Sequence, residues 1–347
     1  MIHGGDTDQP SVTIIIPFYN ADAFRQSILA TVARIRAHVP TSEVLFIDDG
    51  SQDSFPESLR QHATLHPFIK VLTNPVRSGP GIARNLGLSQ ARGRYIGFLD
   101  VDDALYPEPF ARMVDHAIRQ AAELVSYDAD IVDIGGRIRH RKDLSFLRAP
   151  QKEWLRAFLR AEMDGSVIFT LFQREFLLRN QILFPAGIHE DLPVLFKSYY
   201  KAERIHVWDE RVYHKISVAT SIVHTIAEAH IHGIFDAYTA ILGFLESEGH
   251  TIASLKDEIR YGFTGFVADL LTKIVTSSHT AEEKLRLCRL LADSMQERYG
   301  LFGGIHDRNT GKDITVANFV DLFYRRHPFA GMEEYRAFEA SFHAARK

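Results

Sequence analysis

Carboxylates in this 347-residue chain gather at three places where an apolar run gives way to a turn. Asp100-Val101-Asp102-Asp103 follows the run YIGFL. Three carboxylates within four positions repel one another and are costly to hold together without a cation. On an extended segment alternate residues point the same way. Asp100 and Asp102 are therefore expected to share one hard ion, Mn²⁺ or Mg²⁺, which takes oxygen ligands. An acidic loop that caps the following helix would use the same residues.

Asp48-Asp49-Gly50-Ser51 ends a second apolar run, VLFI. Carboxylates there can accept hydrogen bonds from a base or a ribose, or can serve a plain strand-to-helix turn as N-cap. His189-Glu190-Asp191 opens a third segment of helical spacing. An acidic helix start is a common structural cap, and the same carboxylates can act as a general base. Gly79-Pro80-Gly81-Ile82-Ala83-Arg84 has glycines near the spacing of a dinucleotide fingerprint. Arg84, however, stands where the third glycine belongs, and no strand leads directly into Gly79, so that reading is rejected. A helix start bearing Arg84 and Asn85 can face a phosphate or ribose, or Arg84 can pair with an aspartate. Either way Arg84 is expected near the acidic cluster.

The elements that must position these groups follow a rhythm. Short strands are expected at Val12–Ile16, Glu43–Ile47, Ile69–Leu72 and Tyr95–Leu99, with helices over residues 21–38 and 80–91. This alternation implies a mostly parallel sheet flanked by helices. Its strands read as unbroken apolar runs, as expected where both faces are buried. In such sheets ligands bind beyond the carboxyl ends of the strands, where Pro17–Asn20, Asp48–Ser51 and Asp100–Asp103 fall. Further on, the pattern predicts helices at 107–122, 151–163 and 189–202. It predicts strands at Leu124–Ile134, Val167–Phe172, Ile205–Trp208 and Val212–Lys215, and an exposed basic loop at Arg137–Arg148. After about residue 225 long amphipathic patterns take over, including Ile234, Tyr238, Ile241 and Leu242 on one helical face. The expected division is a catalytic α/β domain at 1–225 and an α-helical C-terminal domain at 226–347.

Composition narrows the function. The single cysteine, Cys288, excludes a disulfide framework and a multi-thiolate zinc site. The seventeen histidines show no metal-ligand spacing; His224, His230 and His232 are expected at the surface. Forty-four acidic against 40 basic residues argue against a nucleic-acid binder held by a basic face. The longest apolar stretches fall far short of the ~20 residues of a membrane-spanning helix. The polar start MIHGGDTDQP lacks the pattern of a secretory signal. The expected location is the cytoplasm, with peripheral contact at the inner face of a membrane left open.

Taken in order, the strings SVTIIIPFYN, FIDDGSQDS, GPGIARNLGLSQARGRYIGFLDVDD and GIHEDLPVLF resemble the family 2 nucleotide-sugar glycosyltransferases of GT-A fold. VYHKISVATS is a weaker match. The resemblance runs from Ser11 to Ser221, and the joined block Gly79–Asp103 is its most specific part. It implies that Pro17, Tyr19 and Asn20 line the nucleotide pocket and that Asp48 or Asp49 contacts the uracil or ribose. It places Arg84 near the nucleotide, Asp102 on the metal and Asp100 nearer the ribose or sugar. It makes Asp191 the catalytic base, with Glu190 beside it to raise its basicity by repulsion. The implied donor is a nucleotide sugar, a UDP-sugar by expectation, and the implied acceptor a hydroxyl of a glycan or lipid-linked molecule. The implied reaction is inverting.

Two departures stand out. Arg77 occupies a position where the family often has asparagine, and His214-Lys215 follows Tyr213 where an arginine-bearing pattern is common. The second motivates an alternative, a non-catalytic nucleotide-sugar-binding or scaffold protein on the same fold. A nucleotidyltransferase is the third reading, and the lack of a lysine-bearing glycine loop near the first strand argues against it. The C-terminal helices are expected to cover the acceptor site, mediate self-association as a homo-oligomer, or dock on a membrane, with the basic stretch Arg137–Lys142 a second docking element.

Overall fold

The computed structural model describes residues 9–133, 135–141, 144–163, 165–217, 226–297, 329 and 331–345. The expected features at Val218–Ser221 and His224, and Lys142 of the basic stretch, lie outside them.

The chain begins with β1 (Val12–Phe18), whose seven residues VTIIIPF are all buried. It pairs in parallel with β2 (Ser42–Asp48) on one side and β4 (Tyr95–Phe98) on the other. β3 (Ile69–Thr73) extends the sheet in parallel beside β2. Helices α1 (Arg25–His38), α2 (Phe55–Leu65) and α3 (Pro80–Gln90) make the crossovers. The sequence reading assigned no bounds to α2, although its Phe55 closes an edge-to-face cluster with Phe18 and Phe46. Such aromatic pairs add to the area they bury.

Beyond β4 the sheet becomes mixed. The order is β3-β2-β1-β4-β8-β6-β9-β5, with β7 also paired to β6. β8 (Thr170–Gln173) runs antiparallel to both β4 and β6 (Leu124–Asp133). β9 (Ile205–Ser217) runs parallel to β6, and the two-residue β5 (Ala104–Leu105) pairs antiparallel with β9. The α/β class with a parallel core holds, and antiparallel pairs occur only in the second half of the sheet. Helices α4 (Pro107–Gln120), α6 (Arg174–Arg179) and α7 (Asp191–Lys201) accompany these strands.

Several local expectations need correction. The basic stretch Arg137–Arg148 is not simply an exposed loop, because β7 (Ile138–Arg141) pairs with β6 and Ser145–Arg148 is a 3-10 turn. Residues 167–169 of the expected strand Val167–Phe172 form a 3-10 turn that leads into β8. The two strands expected at 205–208 and 212–215 are one. Register shifts opposite Tyr127, Asp128 and Ala129 absorb the polar run Asp209-Glu210-Arg211 as an irregularity.

The chain divides into two compact units that are not contiguous in sequence: residues 1–149 with 166–218, and residues 150–165 with 219–347. Helix α5 (Gln151–Leu159) thus belongs with the C-terminal helices and not with the α/β unit, as a single cut at 225 would have it. The C-terminal unit contains α8 (Glu228–Ser247), α9 (Lys256–Thr276), α10 (Ala281–Glu297) and α11 (Met332–Ala345). Its close packing is set by Gly262: a Cβ there would lie 2.0 Å from the Leu159 carbonyl oxygen, so only glycine lets α9 approach α5. Tyr238 donates to the same carbonyl at 3.1 Å. Cys288 is fully buried, and burial pushes its thiol up to about 12, which fits a packing residue. Among the described residues no helix is long and apolar enough to cross a membrane.

Candidate active site

Three loops meet beyond the carboxyl ends of β1, β2 and β3. Asn20 (φ +49°) leaves β1 in a left-handed turn. Its backbone N–H donates to Ser51 Oγ at 2.9 Å, and its side-chain oxygen accepts from Gln52 N at 2.8 Å. Asp48 Oδ1 accepts from Ser51 N at 2.8 Å, and its Oδ2 lies 3.9 Å from Arg60. Asp49 is more heavily engaged. Its oxygens accept from Asn74 Nδ2 (2.9 Å), Ser78 N (3.0 and 3.1 Å) and Gly79 N (2.8 Å). Both carboxylates are buried. Asp49 is thus the structural clamp of loop 74–79, and Asp48 is the partner with an oxygen less occupied by backbone donors.

Arg84 lies in the second turn of α3 and is almost fully buried. One of its terminal nitrogens donates to Glu190 Oε1 at 2.5 Å and Asp191 Oδ1 at 2.9 Å. The other donates to Asp100 Oδ1 at 3.2 Å. One guanidinium therefore ties together acidic groups from two separate motifs. Burial opposes its charge, but Asp191, Asp100 and Glu190 outweigh that cost and hold its pKa above the ordinary value. Close approach of the loop before α7 depends on Gly81, where a Cβ would meet the Pro185 oxygen at 2.6 Å and Glu190 Cγ at 2.8 Å. Asn85, by contrast, does not face a ligand: its amide exchanges hydrogen bonds with Phe184 O (2.8 Å) and Phe184 N (2.9 Å).

Helix α7 begins at Asp191, two residues later than expected, and neither acid caps it through its side chain. His189 has φ +64°, so the chain turns sharply just before the helix. Asp191 Oδ2 accepts from Ser166 Oγ and Val167 N, both at 3.2 Å. The carboxylate is thus held from two sides. Burial and, secondarily, Asp100 push its pKa up, while Arg84 pulls it down, and the net direction is upward. Burial and the Asp191 charge likewise raise Glu190, against Arg84.

The acidic cluster after β4 is not extended. The Asp103 N–H donates to Asp100 O at 3.1 Å, closing a turn, so the alternate-residue argument for Asp100 and Asp102 does not apply. Asp103, the third acid, is a tether. Its oxygens accept from Tyr213 Oη (2.8 Å), Ile216 N (2.8 Å) and Lys215 Nζ (3.4 Å). Tyr213 Oη also accepts from Asp100 N at 3.1 Å. Lys215 Nζ reaches Asp100 Oδ2 at 3.5 Å. Both oxygens of Asp100 therefore face cations, Arg84 and Lys215. Asp102 makes no ion pair among the described residues, is half-buried, and is pushed up first by burial and then by Asp100.

Among the described residues no group of three His, Cys, Asp or Glu side chains could cage a metal. What the loop offers is the hard oxygen set of Asp102, with Asp100 beside it behind Lys215. That donor set fits Mn²⁺ or Mg²⁺ of the kind bound by one or two carboxylates plus substrate phosphates.

Sequence reasoning missed Lys215, Tyr213, Ser166 and Asn74 as members of this constellation. The period-two pattern of β9 puts Tyr213 and Lys215 on one face, which was the available signal. Nothing local marks Asn74 or Ser166. His214 points elsewhere, stacking on Tyr106 at 5.6 Å.

Comparison with known proteins bears on this geometry. Residues 13–183 match the family model described as Glycosyl transferase family 2. The succinoglycan biosynthesis protein ExoO of Rhizobium meliloti is 32% identical over 187 residues, 52% of either chain. The uncharacterized glycosyltransferase YibD of Escherichia coli is 26% identical over 212 residues, 58% of this chain and 60% of YibD. The chain thus matches a little over half the length of these relatives. The crystal structure of S. aureus TarS 1-349 in complex with UDP-GlcNAc shares the fold, with a TM-score of 0.65 and 18% identity, covering 96% of this chain and 91% of that one. The segment that supplies Asp48, Arg84, Asp100 and Asp102 belongs to glycosyl transferase family 2.

Proposed function

We propose that the chain is an inverting, metal-dependent glycosyltransferase that moves a sugar from a nucleoside-diphosphate donor, a UDP-sugar, to a hydroxyl of a glycan or lipid-linked acceptor. The observation that carries this reading is the Arg84 node, which gathers Asp100, Glu190 and Asp191 from positions 16 to 107 residues away. The name of the R. meliloti relative, a succinoglycan biosynthesis protein, and the UDP-GlcNAc bound by TarS support the donor and acceptor classes.

In this reading Tyr19, Asn20 and Asp48 take the nucleoside end, and Pro17 shapes the wall. Asp102, with Asp100, would hold Mn²⁺ or Mg²⁺, which supplies Lewis-acid stabilisation of the leaving diphosphate. Asp191 takes the proton of the acceptor hydroxyl as that oxygen attacks the anomeric carbon, a contribution of typically ~10²–10⁴-fold. The bond from the anomeric carbon to the phosphate oxygen breaks, and the nucleoside diphosphate leaves with the electron pair. Attack from the face opposite the leaving group inverts the centre. Arg84 holds one oxygen of Asp191 and Ser166 the other, so the base is positioned before substrate arrives.

A thermal-shift screen of nucleotide sugars with Mn²⁺ nominates the donor, because a ligand that binds only the folded state raises stability. With that donor, Asp191→Asn is expected to keep binding and lose transfer, and Asp102→Asn to weaken metal-dependent binding. Full transfer by Asp191→Asn would sink the base assignment. A second reading, a non-catalytic nucleotide-sugar-binding or scaffold protein, draws on Lys215 standing against Asp100. It predicts metal-dependent donor binding with neither transfer nor donor hydrolysis.

A further inference from the structure

At the amino-terminal end of β4, away from the acidic turn that follows its carboxyl end, a surface cleft of about 340 Å³ is lined by Gln9, Arg94, Gln173, Arg174 and Glu175. That volume suits a small ligand. β4 and β8 pair Tyr95 with Gln173, and one step further Arg174 N donates to Arg94 O at 2.9 Å. Two arginines therefore stand opposite each other at the end of an antiparallel ladder, where like charges destabilise. Among the described residues neither guanidinium has a hydrogen bond or an ion pair. The Arg174 Nε is shut off from solvent without an acceptor. Arg25, Arg84 and Arg289 also bury an Nε without an acceptor, but each bonds through its terminal nitrogens. Arg174 bonds through none, and a buried donor left without an acceptor is costly.

Guanidinium forks match the oxygens of a carboxylate or a phosphate. The other side chains of the cleft call for hydroxyl groups. Gln9 uses its Nε2 on Arg92 O at 3.2 Å, which leaves its amide oxygen to accept. The Gln173 carboxamide makes no side-chain bond among the described residues. An ionised Glu175 only accepts, and a bare phosphate dianion has no proton to offer it, whereas a hydroxyl donates to all three. We propose that this cleft binds an anionic sugar, with Arg94 and Arg174 on its phosphate or carboxylate and Gln9, Gln173 and Glu175 on its hydroxyls. The occupant is a free sugar phosphate or an acidic residue within a glycan chain, since both present the same oxyanion and hydroxyls. The cleft is separate from the donor pocket: the four residues of β4, roughly 13 Å at ~3.3 Å per residue, lie between Arg94 and the acidic turn.

Calorimetric titration of the full chain at low ionic strength, without Mn²⁺, tests this with glucose 6-phosphate, trigalacturonate, inorganic phosphate and glucose. Wild type is expected to bind one of the two charged sugars at least about tenfold more tightly than phosphate, and glucose not measurably. The tighter of the two names the source, a free sugar phosphate or an acidic glycan. Arg94→Gln and Arg174→Gln should each weaken that ligand by about tenfold, and the double variant should abolish its binding. Gln173→Ala should weaken the charged sugar and leave phosphate unchanged. Unfolding temperature should hold in all of these variants, because the replaced groups have no partner to lose. If an arginine variant fails to fold, the Gln173→Ala comparison still decides. Binding of neither charged sugar, glucose or phosphate bound as tightly as they are, or an equal effect of Gln173→Ala on sugar and phosphate would each overturn the proposal. So would full affinity in the folded double variant, which would place the ligand in the donor pocket instead.

Discussion

Replacing Arg84 by methionine removes the only group that neutralises both Glu190 and Asp191 in the described structure, at nearly constant side-chain length. Arg84 makes contacts of 2.5, 2.9 and 3.2 Å with three carboxylates and is itself buried. Removing one partner of a buried ion pair costs about 3–5 kcal/mol, because the remaining charge is left unpaired. For an α/β unit of roughly 200 residues, each kcal/mol shifts the unfolding temperature by about 2–4 °C, so a drop of roughly 10 °C is expected near neutral pH. The deficit must depend on pH. Glu190 and Asp191 already have folded pKa values above their ordinary ones, and without Arg84 these rise further. Between the ordinary and the raised pKa the folded state binds protons that the unfolded state does not. Stability therefore falls as pH rises through that window, and the penalty is smallest where both carboxyls are protonated. Thermal unfolding followed by circular dichroism at about pH 5 and about pH 8 measures both effects. Adding Glu190→Gln and Asp191→Asn to Arg84→Met should recover much of the loss, since the orphaned charges are then gone. A loss below about 2 °C at the higher pH, or an equal loss at both, would refute the account of Arg84 as a charge-compensating node.

Two further outcomes follow from the same geometry. The acid limb of kcat/KM should lie above the ordinary aspartate range of ~3.9, because Asp191 must be deprotonated to accept a proton and its folded pKa is raised; activity is lost as pH falls through that raised value. A limb at or below the ordinary value would contradict the assignment. Tyr213→Phe removes the hydroxyl that donates to Asp103 and accepts from Asp100 N, and should cost ~1–3 kcal/mol in denaturant titrations. It should also weaken Mn²⁺-dependent donor binding by loosening the turn that carries Asp102, and no change in either measurement would show that the turn holds itself.

The legibility of the chain follows from where its constraints are local. β1, β2 and β4 were readable because burial on both faces makes them continuous apolar runs. α7 was readable from its spacing, although its start shifted by two residues because His189 takes a left-handed turn. β7 was not, because its segment IRHR has no apolar run and becomes a strand only through pairing with β6. β9 looked like two strands because the charged run Asp209-Glu210-Arg211 interrupts its pattern. In the site, the motifs named the acids but not their jobs. Whether Asp48 or Asp49 is the clamp depends on Asn74, Ser78 and Gly79, some 25 to 30 residues away. Asn85 looked like a ligand residue, and its distant hydrogen bonds to Phe184 make it structural; Asp103, given no role by the motif, is fixed by the distant Ile216. Lys215 was passed over because it stands in the least regular of the matching strings.

The separation of the site's partners along the chain has a consequence for its biosynthesis. Asp100 and Asp103 leave the ribosome more than 100 residues before Lys215 and Ile216, and Arg84 more than 100 residues before Glu190 and Asp191. The residues of the parallel β3-β2-β1-β4 core are all made before those partners, although the compact unit they belong to is complete only at about residue 218. The acidic turn at its edge must then wait without its lysine, and the arginine with Asp100 alone of its three carboxylates, for about 5–20 seconds at ordinary elongation rates. Slowing translation between codons 110 and 190 is expected to lengthen this stage, and a trigger for misassembly would be found there and not in the finished core.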